Sequence, residues 1–303
     1  MVLNLAILWP ILEREMGTTL RWQWIPTNLT REQFEQFVLP HLSTGSRGPA
    51  PKLPAYAIFN YILQLLYMGC QWKQLPINKN EKGQPEIHYT RVYSAFRRWE
   101  AQGCFDALFT GSVLTLHQGG RLDLGVVHGD GTTTPAKKGG DHLGFSGHKH
   151  FKGDKVVPFC DRNCNVIAPF VSAPGNRNES PLLREALPQL SRMAQAVGLA
   201  LKGAIVSLDG VYDCPRNRKA IFNRGMVPNI RPNPRGRKTP KRGRKPIYNP
   251  AIFKERFRTI ERVFAWEDKF KRLLLRFERI SRLHYALKTL AYTMINLRQF
   301  CKP

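Results

Sequence analysis

Apolar residues recur at helical spacing in three segments of the first third of the chain. Thr30, with Glu32 and Gln33 behind it and Phe34, Phe37, Val38 and Leu42 following, predicts a capped amphipathic helix. A second helix is predicted over about Ala55 to Met68, where Ile58, Ile62, Leu65 and Leu66 share a face and Gly69 supplies the stop. A third covers about Tyr89 to Gln102, with Val92, Phe96 and Trp99 as its apolar stripe and Arg91, Arg97 and Arg98 off it. Residues 27–119 therefore read as all-helical. Those three arginines fit either a helix-turn-helix reader of DNA or a solvated charged face.

From Leu124 the texture changes. Leu124 to Asp130 is a short apolar run ending in Asp and Gly, as a buried strand would. Further strands are predicted at about His148 to Phe159 and Val166 to Val171. Leucines 182, 183, 187 and 190 predict a helix over Glu179 to Val197, and Ala204 to Leu208 is another apolar run, closed by Asp209. Ala251 to Cys301 lacks Pro and Gly and predicts a long helix, broken at most once. The fold class expected is α/β, a mixed sheet with flanking helices behind an all-helical region. The division expected is an N-terminal arm (1–26), a helical region (27–119) that carries the candidate helix-turn-helix, and a sheet-bearing domain (120–303) that includes a basic loop (231–249) and the C-terminal helices. The apolar opening Met1 to Leu12 has no basic start, holds Pro10 and is too short to span a bilayer, so a protein working where DNA is accessible, without a membrane span, is expected.

Charge changes this picture. The 303 residues carry 47 Lys and Arg against 22 Asp and Glu, a net charge of +25 that points to a polyanionic partner. From Cys214 onward there are 25 basic and 5 acidic residues, so the C-terminal third is the part expected to face phosphates. Arg231 to Lys245 holds eight basic residues in fifteen, interleaved with Pro and Gly. Within it Arg235, Arg237, Lys238, Lys241, Arg242, Arg244 and Lys245 are expected to contact the DNA backbone, where each cation releases counterions. The six cysteines show no paired zinc spacing and read as reduced thiols; Cys160 and Cys164 flank a hairpin turn. The histidines of His148-Lys149-His150 alternate along a predicted strand, and no metal role is assigned to them.

Cleaving a phosphodiester requires an activated oxygen on one side of phosphorus and a stabilised leaving oxygen on the other, work that two divalent ions held by carboxylates perform. Asp130 and Asp209 both end apolar strands beside glycine. The C-terminal helix offers Glu255, Glu261, Glu267 and Asp268. On a continuous wheel Glu261 lies about 40° from Phe257 and about 60° from Phe264, so it alone is expected to face the sheet. On the same wheel Arg258, Arg262, Lys269 and Arg276 fall about 60° to 100° beyond it, ready to bind phosphate.

The stretches His128-Gly129-Asp130-Gly131-Thr132-Thr133-Thr134-Pro135, Ser207-Leu208-Asp209-Gly210-Val211-Tyr212-Asp213 and Thr259-Ile260-Glu261-Arg262-Val263-Phe264-Ala265-Trp266 resemble the three motif regions of bacterial insertion-sequence DDE transposases. The similarity runs from about Thr30 to Arg298. It implies a ribonuclease H-like catalytic domain, a metal-binding triad at Asp130, Asp209 and Glu261, two Mg²⁺ or Mn²⁺ ions, and double-stranded DNA (element ends and target) as partner, with a homodimer on the DNA in the bacterial cytoplasm. The family often places Tyr and Arg before the glutamate and Lys after it. Here Phe253 or Phe257 and Arg256 or Arg258 precede it, and Lys269 follows. His128, Thr132, Tyr212 and Arg262 flank the triad, to orient phosphate or water or to serve the fold. Two rivals stay open: a transposase-derived DNA-binding repressor without catalysis, and a metal nuclease that cuts without joining.

Overall fold

The computed structural model describes residues 24–43, 52–234, 243 and 245–301. Most of the expected N-terminal arm, and Arg235, Arg237, Lys238, Lys241, Arg242 and Arg244 of the basic segment, lie outside the described residues.

Helix α1 (Arg31–Phe37) starts where Thr30 accepts from the Gln33 N–H while the Gln33 side chain accepts from the Thr30 N–H, a reciprocal capping box. Helix α2 (Ala55–Met68) ends at Gly69, whose φ of 72° closes the last turn in the left-handed region. Helices α3 (Tyr89–Ala101) and α4 (Cys104–Gln118) complete the helical region; on α3 Val92, Phe96 and Trp99 are buried, while Arg91, Arg97 and Arg98 are exposed.

The α/β expectation holds: a mixed sheet with helices follows the helical region. One sheet has the order β5 (Phe159–Cys160), β1 (Val126–Gly129), β7 (Ile205–Leu208), β8 (Val227–Ile230). β1, β7 and β8 run parallel and β5 is antiparallel to β1. All four residues of β1 are buried, as a strand covered on both faces must be. A second sheet joins β2 (Thr132–Pro135), β4 (Phe151–Val157) and β3 (Gly144–Ser146), with β6 (Val171–Pro174) also on β4. Helix α5 (Glu179–Val197) and helix α6 (Pro215–Phe222) pack on each other, and α6 packs on β8. One hydrophobic cluster runs from Ile25 through the sheet to Cys301.

Three expectations need correction. The strand expected from His148 begins only at Phe151; His148-Lys149-His150 belongs to the turn before it, with His150 at φ 54°, so strand alternation does not apply there. Val166 makes a single bridge to Cys160, and the strand expected over 166–171 is instead β6.

The C-terminal stretch is not one helix broken once. It is α7 (Pro250–Lys254), a 3₁₀ turn (Glu255–Arg258), α8 (Ile260–Glu267), a second 3₁₀ turn (Lys271–Leu273) and α9 (Ser281–Leu297). The first break falls at Thr259, at φ −121° and ψ −93°. The closing helix α9 packs on α4, and its Asn296 side chain both accepts from the Val166 N–H at 2.8 Å and donates to the Val166 carbonyl at 2.9 Å. Among the described residues no helix is long and apolar enough to cross a membrane.

Candidate active site

The parallel register sets the first two acids side by side. Val126 pairs with Ile205 and His128 with Ser207. Asp130 follows the end of β1 and Asp209 the end of β7, each two residues beyond the last paired position, so the two acids leave neighbouring parallel strands at the same level. Glycine is required just before Asp130, because a Cβ on Gly129 would lie 2.7 Å from the Phe159 ring and 2.9 Å from Leu208.

The guanidinium of Arg256, on the 3₁₀ turn before α8, gathers the three carboxylates. Its Nη2 donates to Asp130 Oδ2 and, at 3.2 Å, to Glu261 Oε1, and its Nη1 lies 3.7 Å from Asp209 Oδ1. Phe253 and Phe257 flank the same group, their ring centroids 5.4 Å and 6.0 Å from it. The Asp130 side chain is 14% exposed, against 39% for Asp209 and 42% for Glu261, so the last two present oxygens to solvent. Burial pushes the Asp130 carboxyl up to about 6, with Arg256 and the Gly131 N–H, 2.9 Å from Oδ1, pulling the other way.

Behind this group His128 is fully buried, its Nε2 3.5 Å from Glu255 Oε2, and Arg162 binds Glu255 with two hydrogen bonds of 2.8 Å and 2.9 Å. Burial holds His128 down at about 4. Tyr212 is also fully buried, and among the described residues its hydroxyl has no hydrogen-bond partner. Burial raises this phenol well above its ordinary range, and the charges of Glu179, Asp130 and Asp209 add to the shift.

The sequence wheel is therefore corrected in its geometry. Phe257, taken as part of the inward stripe, is 66% exposed. Glu261 is not alone in facing inward: Glu255 reaches His128, and Glu267 is buried against Lys288 and Tyr292. Arg276, grouped on the wheel with Arg258, Arg262 and Lys269, is buried and bound to Asp154, away from the acids. Among the described residues Arg258, Arg262 and Lys269 form no ion pair with the triad; Arg258, Lys269 and Lys245 are exposed and Arg262 is half-buried. Arg256 is the residue the sequence left undecided, since its partners stand 126, 47 and 5 positions away in the chain.

The donor set suits a hard divalent cation, which prefers carboxylate oxygen. Among the described residues no three side chains of ligand type stand close enough to hold an ion as placed. The positive charge at the centre of the acids is the Arg256 guanidinium.

Comparison with known proteins agrees with the sequence resemblance. Residues 29–109 match the family described as "Putative transposase of IS4/5 family", and residues 124–297 match the family described as "Transposase DDE domain". None of the curated proteins compared matches the chain. Among solved structures, one similar to this chain is the piggyBac transposase synaptic complex with hairpin DNA, at 9% identity and a TM-score of 0.48, covering 90% of this chain and 74% of that one. The Mos1 transposase paired-end complex with left transposon end matches at 14% identity and a TM-score of 0.26, over 74% of this chain and 72% of that one. The Mos1 mariner paired-end complex with Mn matches at 13% identity and 0.27, with the same coverage.

Proposed function

The chain belongs to the transposase DDE domain family, and on that premise we propose that Asp130, Asp209 and Glu261 are the carboxylates that carry its DNA cleavage and strand transfer. The observation that supports this most is the single guanidinium of Arg256 within reach of all three, although they come from two strand ends and a separate helix. The three acids would hold the divalent cations, two Mg²⁺ or Mn²⁺. Such ions, when bound, activate the attacking oxygen and stabilise the leaving one.

The chain's own residues supply the rest. β1 and β7 fix the two aspartates by their register, and Gly129 keeps the backbone between Phe159 and Leu208 narrow. Asp209 and Glu261 keep their open oxygens toward solvent, the side from which a phosphodiester must arrive. Water attacks the phosphodiester at an element end, and the freed 3′-hydroxyl then attacks target DNA; both are in-line displacements at phosphorus. The partner is double-stranded DNA, bound by the exposed Arg258 and Lys269, by Arg262, and by the basic segment from Arg235 to Lys245. A recognition role for the helical region 27–119, and a homodimer that pairs two ends in the bacterial cytoplasm, complete the reading.

The test is to incubate the full chain with DNA bearing its element ends and Mg²⁺. Joined products are expected. Cut ends alone would favour a nuclease, and intact DNA that is nevertheless bound would favour a repressor.

A further inference from the structure

A fourth carboxylate stands at the same place. Glu179 opens α5, and its carboxylate lies against Gly131, the residue that follows Asp130. A Cβ at position 131 would be 2.6 Å from Glu179 Oε2 and 2.7 Å from its Cδ. The missing side chain at 131 is thus what lets Glu179 approach the turn that carries the first acid.

Two readings of Glu179 compete. In the plainer one it is an acid in the first turn of a helix, where the helix dipole favours negative charge, paired with Lys155 Nζ at 3.4 Å. That reading leaves Tyr212 unexplained. Among the described residues its hydroxyl is fully buried with no partner, on the 3₁₀ turn (Gly210–Tyr212) that follows Asp209 and packs on α5, the helix Glu179 opens. Leaving a buried hydroxyl unpaired costs about 1 to 3 kcal/mol. A phenol kept between Asp209 and the helix of Glu179 at that cost is explained by a ligand whose oxygen accepts from it.

We propose that Glu179 shares a divalent cation with Asp130, as a fourth carboxylate of the site, and that the Tyr212 hydroxyl donates to an oxygen bound to that cation. This rests on the reading of Asp130 as a metal ligand. Lys155 then holds Glu179 in place until the cation arrives, as Arg256 holds Asp130.

The experiment titrates Mn²⁺ into the full chain, with binding followed by calorimetry and by the loss of the free-ion paramagnetic resonance signal, for the wild type and four variants. Asp130→Asn is expected to abolish tight uptake. Glu179→Gln is expected to weaken it by at least about 10-fold, the lower end of what losing a supporting partner of a metal site costs. Tyr212→Phe, which removes only the unpaired hydroxyl, is expected to weaken Mn²⁺ uptake while leaving the metal-free unfolding midpoint unchanged or higher. Lys155→Met is expected to bind Mn²⁺ at least as tightly as the wild type. If Asp130→Asn abolishes uptake but Glu179→Gln and Tyr212→Phe bind as the wild type does, this inference alone falls. If the wild type takes up no Mn²⁺, or Asp130→Asn makes no difference, the metal reading of Asp130 falls with it.

Discussion

Arg276 and Arg256 each hold carboxylates from distant parts of the chain, but only Arg276 has a carboxylate partner as buried as itself. Arg276 is 1% exposed and fully used: it donates to Asp154 Oδ2 at 2.8 Å, to Asp141 Oδ1 at 2.9 Å, and to the carbonyls of Asp141 and Glu278 at 2.8 Å and 3.0 Å. Asp154 is as buried as Arg276, while Asp141 is 56% exposed at the rim. Arg256 is spread over three carboxylates, two of them about 40% exposed, so one positive charge faces three negative ones at an open surface. Similar ion-pair chemistry serves opposite ends. A saturated guanidinium locks the second sheet to the C-terminal segment, whereas an overcommitted one leaves a site with more negative than positive charge.

The largest effect should come from breaking the buried Arg276–Asp154 pair. Arg276→Met leaves Asp154 buried without its partner, and a loss of about 3 to 5 kcal/mol in denaturant unfolding is expected. A loss no greater than that of an exposed pair would show that the two arginines do not differ as described.

His284 sharpens the contrast on the same side. It is fully buried, among the described residues neither ring nitrogen has a hydrogen-bond partner, and burial, together with the charges of Lys288, Arg276 and Arg272, holds its pKa well below 6.5. The unfolded chain therefore takes up this proton first. The stability due to neutral His284 is fully present above pH 6.5 and lost as the pH falls below it, by about 1.4 kcal/mol per pH unit. Stability measured against pH should fall less steeply on the acid side in His284→Leu than in the wild type; parallel curves would contradict the shift.

The smallest stability effect belongs to the open site. Arg256→Met should cost less than Arg276→Met without divalent ions, because two of its three partners can turn to water and the buried Asp130, its carboxyl already pushed up to about 6, can take up a proton. Adding Mn²⁺ should then raise the unfolding midpoint more in the variant than in the wild type, since the cation replaces a guanidinium that no longer competes. Equal rises would mean that Arg256 does not occupy the position of a cation.

The same comparison explains what was legible in the sequence. Asp130 and Asp209 could be singled out because a buried strand leaves a continuous apolar run, and the residue that ends it is marked by the glycine beside it. Glu261 does reach Arg256 beside Asp130, but not on the continuous wheel used to choose it, because the chain breaks at Thr259 with no Pro or Gly to announce the break. Arg276 read as one more phosphate-binding cation because its acidic partners lie 122 and 135 positions away, and spacing says nothing about partners so distant. Glu179 read as the start of a leucine-striped helix. Only the close approach at Gly131 brings its carboxylate to the site.

Asp209→Asn tests the central assignment most directly, because Asp209 is held by the sheet register and makes only a long contact of 3.7 Å with Arg256, so the change removes a charge without unpacking the core. Cleavage of DNA bearing the element ends is measured in Mg²⁺ alongside binding of the same DNA. No cleavage, with binding at wild-type affinity, is expected; cleavage at the wild-type rate would contradict the assignment of Asp209.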